Sequence, residues 1–225
     1  MRLERLKNYL DLTRLHFFFV WPLVFCSGLV LSFHSYGTVS NWVILKSALI
    51  ALFGFEAGFV LNDYVDRDID RLDVDDCLSR YWRPFGSRPL PMQTISLGDA
   101  RILFLSLAGA ASLLILTLPY PNSLYVLGIM SYSYVVERFY QVKKRNQTLP
   151  IAQLIGRTDF ALFPVAGYLV NGTFDSTILL YLLFFYPYTQ AHLGLNDLID
   201  TLNDHARGLS TILVMYGEGK TKLWI

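Results

Sequence analysis

An all-α fold, a bundle of about six membrane-spanning helices in a single domain over residues 1–225, is what this sequence predicts, and three observations predict it. The chain is 53% hydrophobic and only 16% charged, whereas soluble domains carry about 25% charged residues. The apolar residues gather into runs of bilayer length. The charges that remain fall almost wholly between alternate runs.

The runs follow in order. Leu15–Phe33 holds no charge beyond a possible one on His16. It is longer than a signal-peptide core and no small-residue cleavage site follows, so it reads as a permanent helix. Trp42–Leu61 contains only Lys46 and Glu56, and Ile102–Pro119 is uncharged. Tyr120–Val136 is uncharged but interrupted by Pro121 and Asn122. Ile151–Val170 carries Arg157 and Asp159 near its start, and Ile178–Leu195 only His192. A bilayer core takes roughly 17–25 helical residues, and six runs fit. Gly54, Gly58, Gly109, Gly156 and Gly167 are small residues that let such helices pack closely.

Six crossings return the chain to the side on which it starts. The segments on that side are the N-terminus, residues 62–101, residues 137–150 and everything after 195. They hold 17 of the 19 Lys and Arg, and the positive-inside rule makes that side cytoplasmic. A net charge of +1 gives no sign of a nucleic-acid partner. Cys26 in a run and Cys77 in a loop make neither a disulfide framework nor a metal site.

On the charged side one acidic pattern occurs twice, each time just after an even-numbered run. "NDYVDRDID" (62–70) and "NDLIDTLND" (196–204) both read Asn-Asp-x-x-Asp-x-x-x-Asp. The matched placement suggests a duplicated unit. On a helix, Asp63, Asp66 and Asp70 would fall on one face within about 60°, and so would Asp197, Asp200 and Asp204. Stacked like charges repel, so such faces call for a cation. Magnesium takes oxygen ligands, often one or two carboxylates with the rest from substrate phosphate. Two opposed acidic faces would hold two or more magnesium ions and clamp a diphosphate from both sides. An EF-hand starting at Asp66 fails, because Arg71 and Cys77 stand where Gly and Glu are needed. The plain alternative is a pair of solvated acidic loops.

These residues resemble the UbiA superfamily of membrane prenyltransferases. The family's first acidic loop is matched by Asn62, Asp63, Asp66 and Asp70. Its second is matched by Asp200 and Asp204, with Asp197 one turn earlier and Gly208–Thr211 trailing it. Tyr140 and Lys144 fit its Tyr-x-x-x-Lys, followed by Pro150 and Gly156. Arg88-Pro89-Leu90 resembles its Arg-Pro-Leu, although a second Arg-Pro, Arg83-Pro84, precedes it. The likeness runs from about Arg14 to Leu213. Family members usually have nine helices, and this chain stops before a seventh, as a shortened member, an incomplete one or a chain needing a partner would.

The resemblance implies transfer of an isoprenyl group from a prenyl diphosphate to a small aromatic or lipid acceptor by magnesium-assisted ionisation within the lipid bilayer. Asp63, Asp66 and Asp70 would hold one magnesium, and Asp197, Asp200 and Asp204 the other, with Asp66 and Asp200 central to catalysis. Asn62, Asn196, Lys144 and an arginine, Arg67 or Arg88, would bind diphosphate. Tyr140 would bond diphosphate or face the carbocation, which aromatic rings stabilise. Glu56, His192 and Asp159 are intramembrane ionisable residues and so candidates for acceptor binding or proton transfer. Two other functions share the acidic pattern: a terpene synthase that cyclises the cation without a separate acceptor, and a divalent-cation transporter or binding protein. Acceptor, prenyl length and oligomeric state are left open by the sequence.

Overall fold

The structure is a computed structural model that describes residues 2–225. Among them helices account for all regular structure. Helix α1 (Arg2–Leu12) leads through a short 3-10 turn to α2 (Val20–Tyr36). Helix α3 (Asn41–Asp66) starts at Ser40, whose hydroxyl accepts from Val43 N, an N-cap that supplies one of the first turn's missing acceptors. The loop beyond α3 holds a 3-10 turn (Asp70–Leu72) and the short α4 (Cys77–Trp82). Helix α5 (Leu97–Leu116) is capped in the same way by Ser96. Then come α6 (Asn122–Lys143), α7 (Ile151–Gly156), α8 (Thr158–Tyr168), α9 (Ser176–Ile199), α10 (Thr201–Ala206) and α11 (Ile212–Trp224).

Leu15–Tyr36, Asn41–Asp66 and Leu97–Leu116 are each long and apolar enough to cross a membrane. Helices α6 and α9, at 22 and 24 residues, have the length. The fifth run differs from a single continuous span: it breaks at Arg157 into α7 and α8. The helices turn apolar residues outward, with Leu23, Leu113, Leu180 and Phe184 all more than 60% exposed. Hydrocarbon, not water, suits that surface, because a helix pairs most of its backbone groups within its own segment.

Inside, Phe25 and Leu29 of α2 pack with Ile50 and Ala51 of α3, Ile115 of α5, Val126 of α6 and Val165 of α8. A second cluster joins Leu12, Val60, Leu90, Ile95 and Ala100 near the charged loops. Helices α2 and α8 touch backbone to backbone. A Cβ on Gly28 would lie 1.8 Å from the Pro164 carbonyl oxygen, and one on Gly167 would lie 1.8 Å from the Phe25 carbonyl oxygen. Neither position has room for a side chain.

The acidic motifs correct one expectation. They do not each ride on one continuous helix. Helix α3 stops at Asp66, and Asp70 sits in the separate 3-10 turn. Helix α9 stops at Ile199; Asp200 has left helical geometry (φ −93°, ψ 17°), and Asp204 lies in α10. Stacking three carboxylates on one helical face is repulsive. The breaks let each aspartate turn to partners of its own.

Candidate active site

The charged loops come together over one end of the bundle. Asp63 places Oδ1 2.8 Å from Arg14 and Oδ2 2.7 Å from Arg83. Asp66 receives Lys144 Nζ at 2.6 Å and Arg145 at 3.0 Å. Asp70 meets Arg88 at 2.8 Å and Arg207 at 3.4 Å. Each carboxylate of the first motif therefore holds two cations. Asp73, three residues on, shares Arg88 and Arg207 with Asp70.

The second motif is held differently. Asp197 Oδ2 accepts from the Ile212 backbone N–H at 3.3 Å. Asp204 Oδ2 accepts from the Thr211 hydroxyl at 2.9 Å. Among the described residues neither has a cation within salt-bridge distance. Asp200 alone has one, Arg207 at 3.2 Å, and it also accepts from Asn203 at 2.7 Å. Burial, together with the charge of Asp200, pushes Asp204 up to about 6 against the pull of Thr211. Burial also raises Asp200, while Arg207 opposes it. On the cationic side, burial holds Arg83 below its ordinary value even though Asp63 works the other way.

A cavity of about 260 Å³ opens between these loops and runs into the bundle. Its charged end is lined by Asp197, Asp200 and Asp204 facing Arg88, Lys144 and Arg207. Its inner length is walled by Trp21, Phe25, Phe55, Phe59, Phe160 and Phe163. Trp21 and Phe55 stack at 3.6 Å between ring centroids.

Most of the expected site residues meet here. Asn62, Arg88, Tyr140, Lys144 and Asn196 line the cavity with the three aspartates of the second motif. Asp63, Asp66 and Asp70 are buried behind it, each gripping a cation that does line it. Arg67 does not join them: it pairs with its neighbour Asp68 at 3.1 Å. Between the two Arg-Pro candidates the structure uses both, Arg83 on Asp63 and Arg88 on Asp70. Glu56 does not line the cavity and is buried with both carboxylate oxygens unpartnered. Tyr140 lies under two cations, Lys144 Nζ at 5.1 Å and Arg157 at 4.2 Å from its ring. Gly156 makes room for that ring, since a Cβ there would come within 2.6 Å of it.

Sequence reasoning missed Arg207, Arg14 and Glu137. Arg207 follows Asp204 by three residues in a segment read only for its acidic letters. Glu137 sits just past an uncharged run, and Asn62 donates to its Oε1 at 2.7 Å. That pairing joins α3 to α6, and no spacing within either helix announces it.

The oxygen-rich donor set fits magnesium on the side of the second motif. Two of its buried carboxylates lack a cation, and a buried charge needs pairing, hydrogen bonds or a metal. Among the described residues no three His, Cys, Asp or Glu stand close enough to share one ion. Magnesium is usually held by only one or two carboxylates plus phosphate, so a shared set of three is not required.

The family model described as the UbiA prenyltransferase family matches residues 19–225. The chain is similar to a digeranylgeranylglyceryl phosphate synthase of Methanococcus maripaludis, 28% identical over 181 residues, which are 79% of this chain and 57% of that protein. It is similar to a protoheme IX farnesyltransferase of Baumannia cicadellinicola, 31% identical over 171 residues, 75% of this chain and 54% of that one. The chain thus spans a little over half the length of these relatives. Its fold is similar to that of a UbiA homolog from Archaeoglobus fulgidus bound to GPP and Mg2+, with a TM-score of 0.73 at 18% identity. That match covers 96% of this chain and 72% of the homolog.

Proposed function

The chain belongs to the UbiA prenyltransferase family, and from that premise we propose that it transfers an isoprenyl group from a prenyl diphosphate to an acceptor. The observation that carries the reading is the cavity's polarity: one end gathers cations and carboxylates, and the rest is aromatic and aliphatic. A prenyl diphosphate has the same division. The apolar outer faces of the helices, which suit lipid, support the reading as well. The charged end would face the cytoplasm, as the distribution of Lys and Arg favours.

The roles follow from position. Arg83, Arg88, Lys144 and Arg207 bind and orient the diphosphate, fixed charges placed where negative charge builds as the C–O bond breaks. Asp63, Asp66 and Asp70 aim those cations. Asp197, Asp200 and Asp204 would hold magnesium from one side, and the first motif's carboxylates would join from the other as their cations turn to phosphate. When bound, magnesium neutralises charge on the departing diphosphate. Tyr140, Phe59 and Phe160 offer ring faces to the allylic cation, and the aromatic lining disfavours water beside it.

The test is pyrophosphate release from geranylgeranyl diphosphate by the purified protein, with and without magnesium, alongside binding of the non-reactive S-thiolodiphosphate analogue. Magnesium-dependent release that is lost in Asp66→Asn and Asp200→Asn is expected. Failure of the analogue to bind wild-type protein would sink the reading.

A further inference from the structure

Helix α1 is tied to the protein along one side and turns an unpartnered face away from it. Its last residue, Leu12, is fully buried with Val60, Leu90, Ile95 and Ala100. Asp11 beside it is fully buried too: its Oδ1 accepts from the Phe85 N–H at 2.7 Å and its Oδ2 from the Ser87 N–H at 2.8 Å. Arg5 reaches Asp99, in the first turn of α5, at 3.1 Å. Just past the helix, Arg14 takes a left-handed conformation (φ 50°), which a non-glycine residue holds only where its surroundings fix it. Its guanidinium lies 2.8 Å from Asp63. The helix is therefore a strap whose inner end holds the loop that carries Arg83 and Arg88.

The outer face is built for a different neighbour. At 3.6 residues per turn, Leu3, Leu6 and Leu10 fall within about 60° of one another, with Arg2 to one side of them and Lys7 to the other. Leu3 is 68% exposed and Leu6 54%. Lys7 Nζ stands 5.4 Å from the ring of Phe85, which is itself exposed. The acidic residues of the helix, Glu4 and Asp11, lie off this face. A single exposed leucine is ordinary. A stripe of them bordered by cations is the pattern of a helix that lies in a membrane interface. The leucines enter the acyl boundary while Arg2 and Lys7 keep their charged ends among the headgroups. The charges also select the lipid. Nothing acidic on this face meets a headgroup amine, whereas two cations meet headgroup phosphate. The cytoplasmic leaflet is anionic, and the distribution of Lys and Arg favours that side for α1.

We propose that the outer face of α1 seats on anionic lipid headgroups, and that this seat secures the loop carrying Arg83 and Arg88. The seat is tested without any prenyl substrate. Its bearing on catalysis rests on the prenyl-transfer reading, in which those two arginines bind the diphosphate.

The test is hydrogen exchange of the whole chain in nanodiscs of phosphatidylcholine alone and of phosphatidylcholine with phosphatidylglycerol. In the anionic discs the α1 amides exchange about 30-fold more slowly, the scale of two cations at an anionic surface. The peptide bearing Phe85 and Ser87 slows with them. Arg2→Gln combined with Lys7→Gln removes the difference between the discs. Leu3→Gln combined with Leu6→Gln speeds exchange in both, because the apolar half of the seat is gone. Equal exchange of wild-type α1 in the two discs, or a difference that survives the charge substitutions, overturns the seat. Protection that grows with the number of chains per disc rather than with anionic lipid assigns the stripe to a second copy and overturns it as well. A Phe85–Ser87 peptide that exchanges alike in both discs overturns the coupling to the loop. The wild-type comparison needs no substitution, so the test stands whichever variant misfolds.

Discussion

The first acidic motif gives each of its three aspartates two cations; the second leaves Asp197 and Asp204 with backbone and hydroxyl donors. The residues and spacing are the same. What differs is the surrounding chain. The long segment after α3 brings Arg83 and Arg88 back onto its own motif, the turn after α1 and the α6 terminus add Arg14, Lys144 and Arg145, and the start of α11 brings only N–H and O–H groups to the other. A repeated motif thus serves two electrostatic ends: one copy organises positive charge, and the other presents negative charge to the cavity. Burying a charge without a counter-charge is expensive, so the second copy is the one that gains most from a divalent ion.

The largest expected effect attacks the paired side. Asp63→Asn leaves Arg14 and Arg83 without a counter-charge, and breaking a buried pair costs about 3–5 kcal/mol. Denaturant unfolding in detergent should show that loss, and an equal loss in Asp197→Asn would erase the contrast. Next, Asp197→Asn should leave unfolding nearly unchanged while pyrophosphate release falls about 100-fold, the scale of losing one strong electrostatic contributor. Full activity in that variant would move the metal side elsewhere. Third, Arg207 bridges the copies through Asp70, Asp73 and Asp200. A double-mutant cycle of Arg207→Gln with Asp200→Asn should give a coupling of about 0.5–3 kcal/mol, and additivity would show that the bridge does not link them.

The smallest effect serves as a control at the far end of the bundle. Asp175 caps α9 and accepts from Tyr36 and Tyr168 at 2.7 and 2.6 Å, with no cation involved. Burial works to raise it, but the two hydroxyls and the backbone N–H groups prevail and lower it below 3.8. A folded-state value below the unfolded one contributes stability above about pH 3.8, and that stability is lost as pH falls through the lower folded value. Melting curves from pH 5 downward should therefore drop less steeply for Asp175→Asn than for wild type.

Much of this was legible in the sequence because it is written locally. The apolar runs are read from period and length, the doubled aspartate spacing repeats letter for letter, and Tyr140 with Lys144 stand out through the resemblance to the family's Tyr-x-x-x-Lys. The helix breaks at Asp66 and Asp200 were not legible: their cause is the partners each aspartate finds across the fold. Arg14 reaches Asp63 over 49 positions and Arg145 reaches Asp66 over 79. Glu56, seven residues before Asp63, is buried like it and does not line the cavity, where α3 contributes Gly54, Phe55, Gly58, Phe59 and Asn62.

The seam between α2 and α8, where Gly28 and Gly167 each meet the other helix's backbone, lies beside the innermost wall of the cavity: Phe25, Phe163 and Ala166 belong to these same two helices. The separation of the two helix axes therefore contributes to the width of the cavity. A methyl group added at either glycine acts as a shim, prising the helices apart and widening the space for a tail without touching a single charged residue. On the prenyl-transfer reading, this seam is where room for a longer tail would be cut.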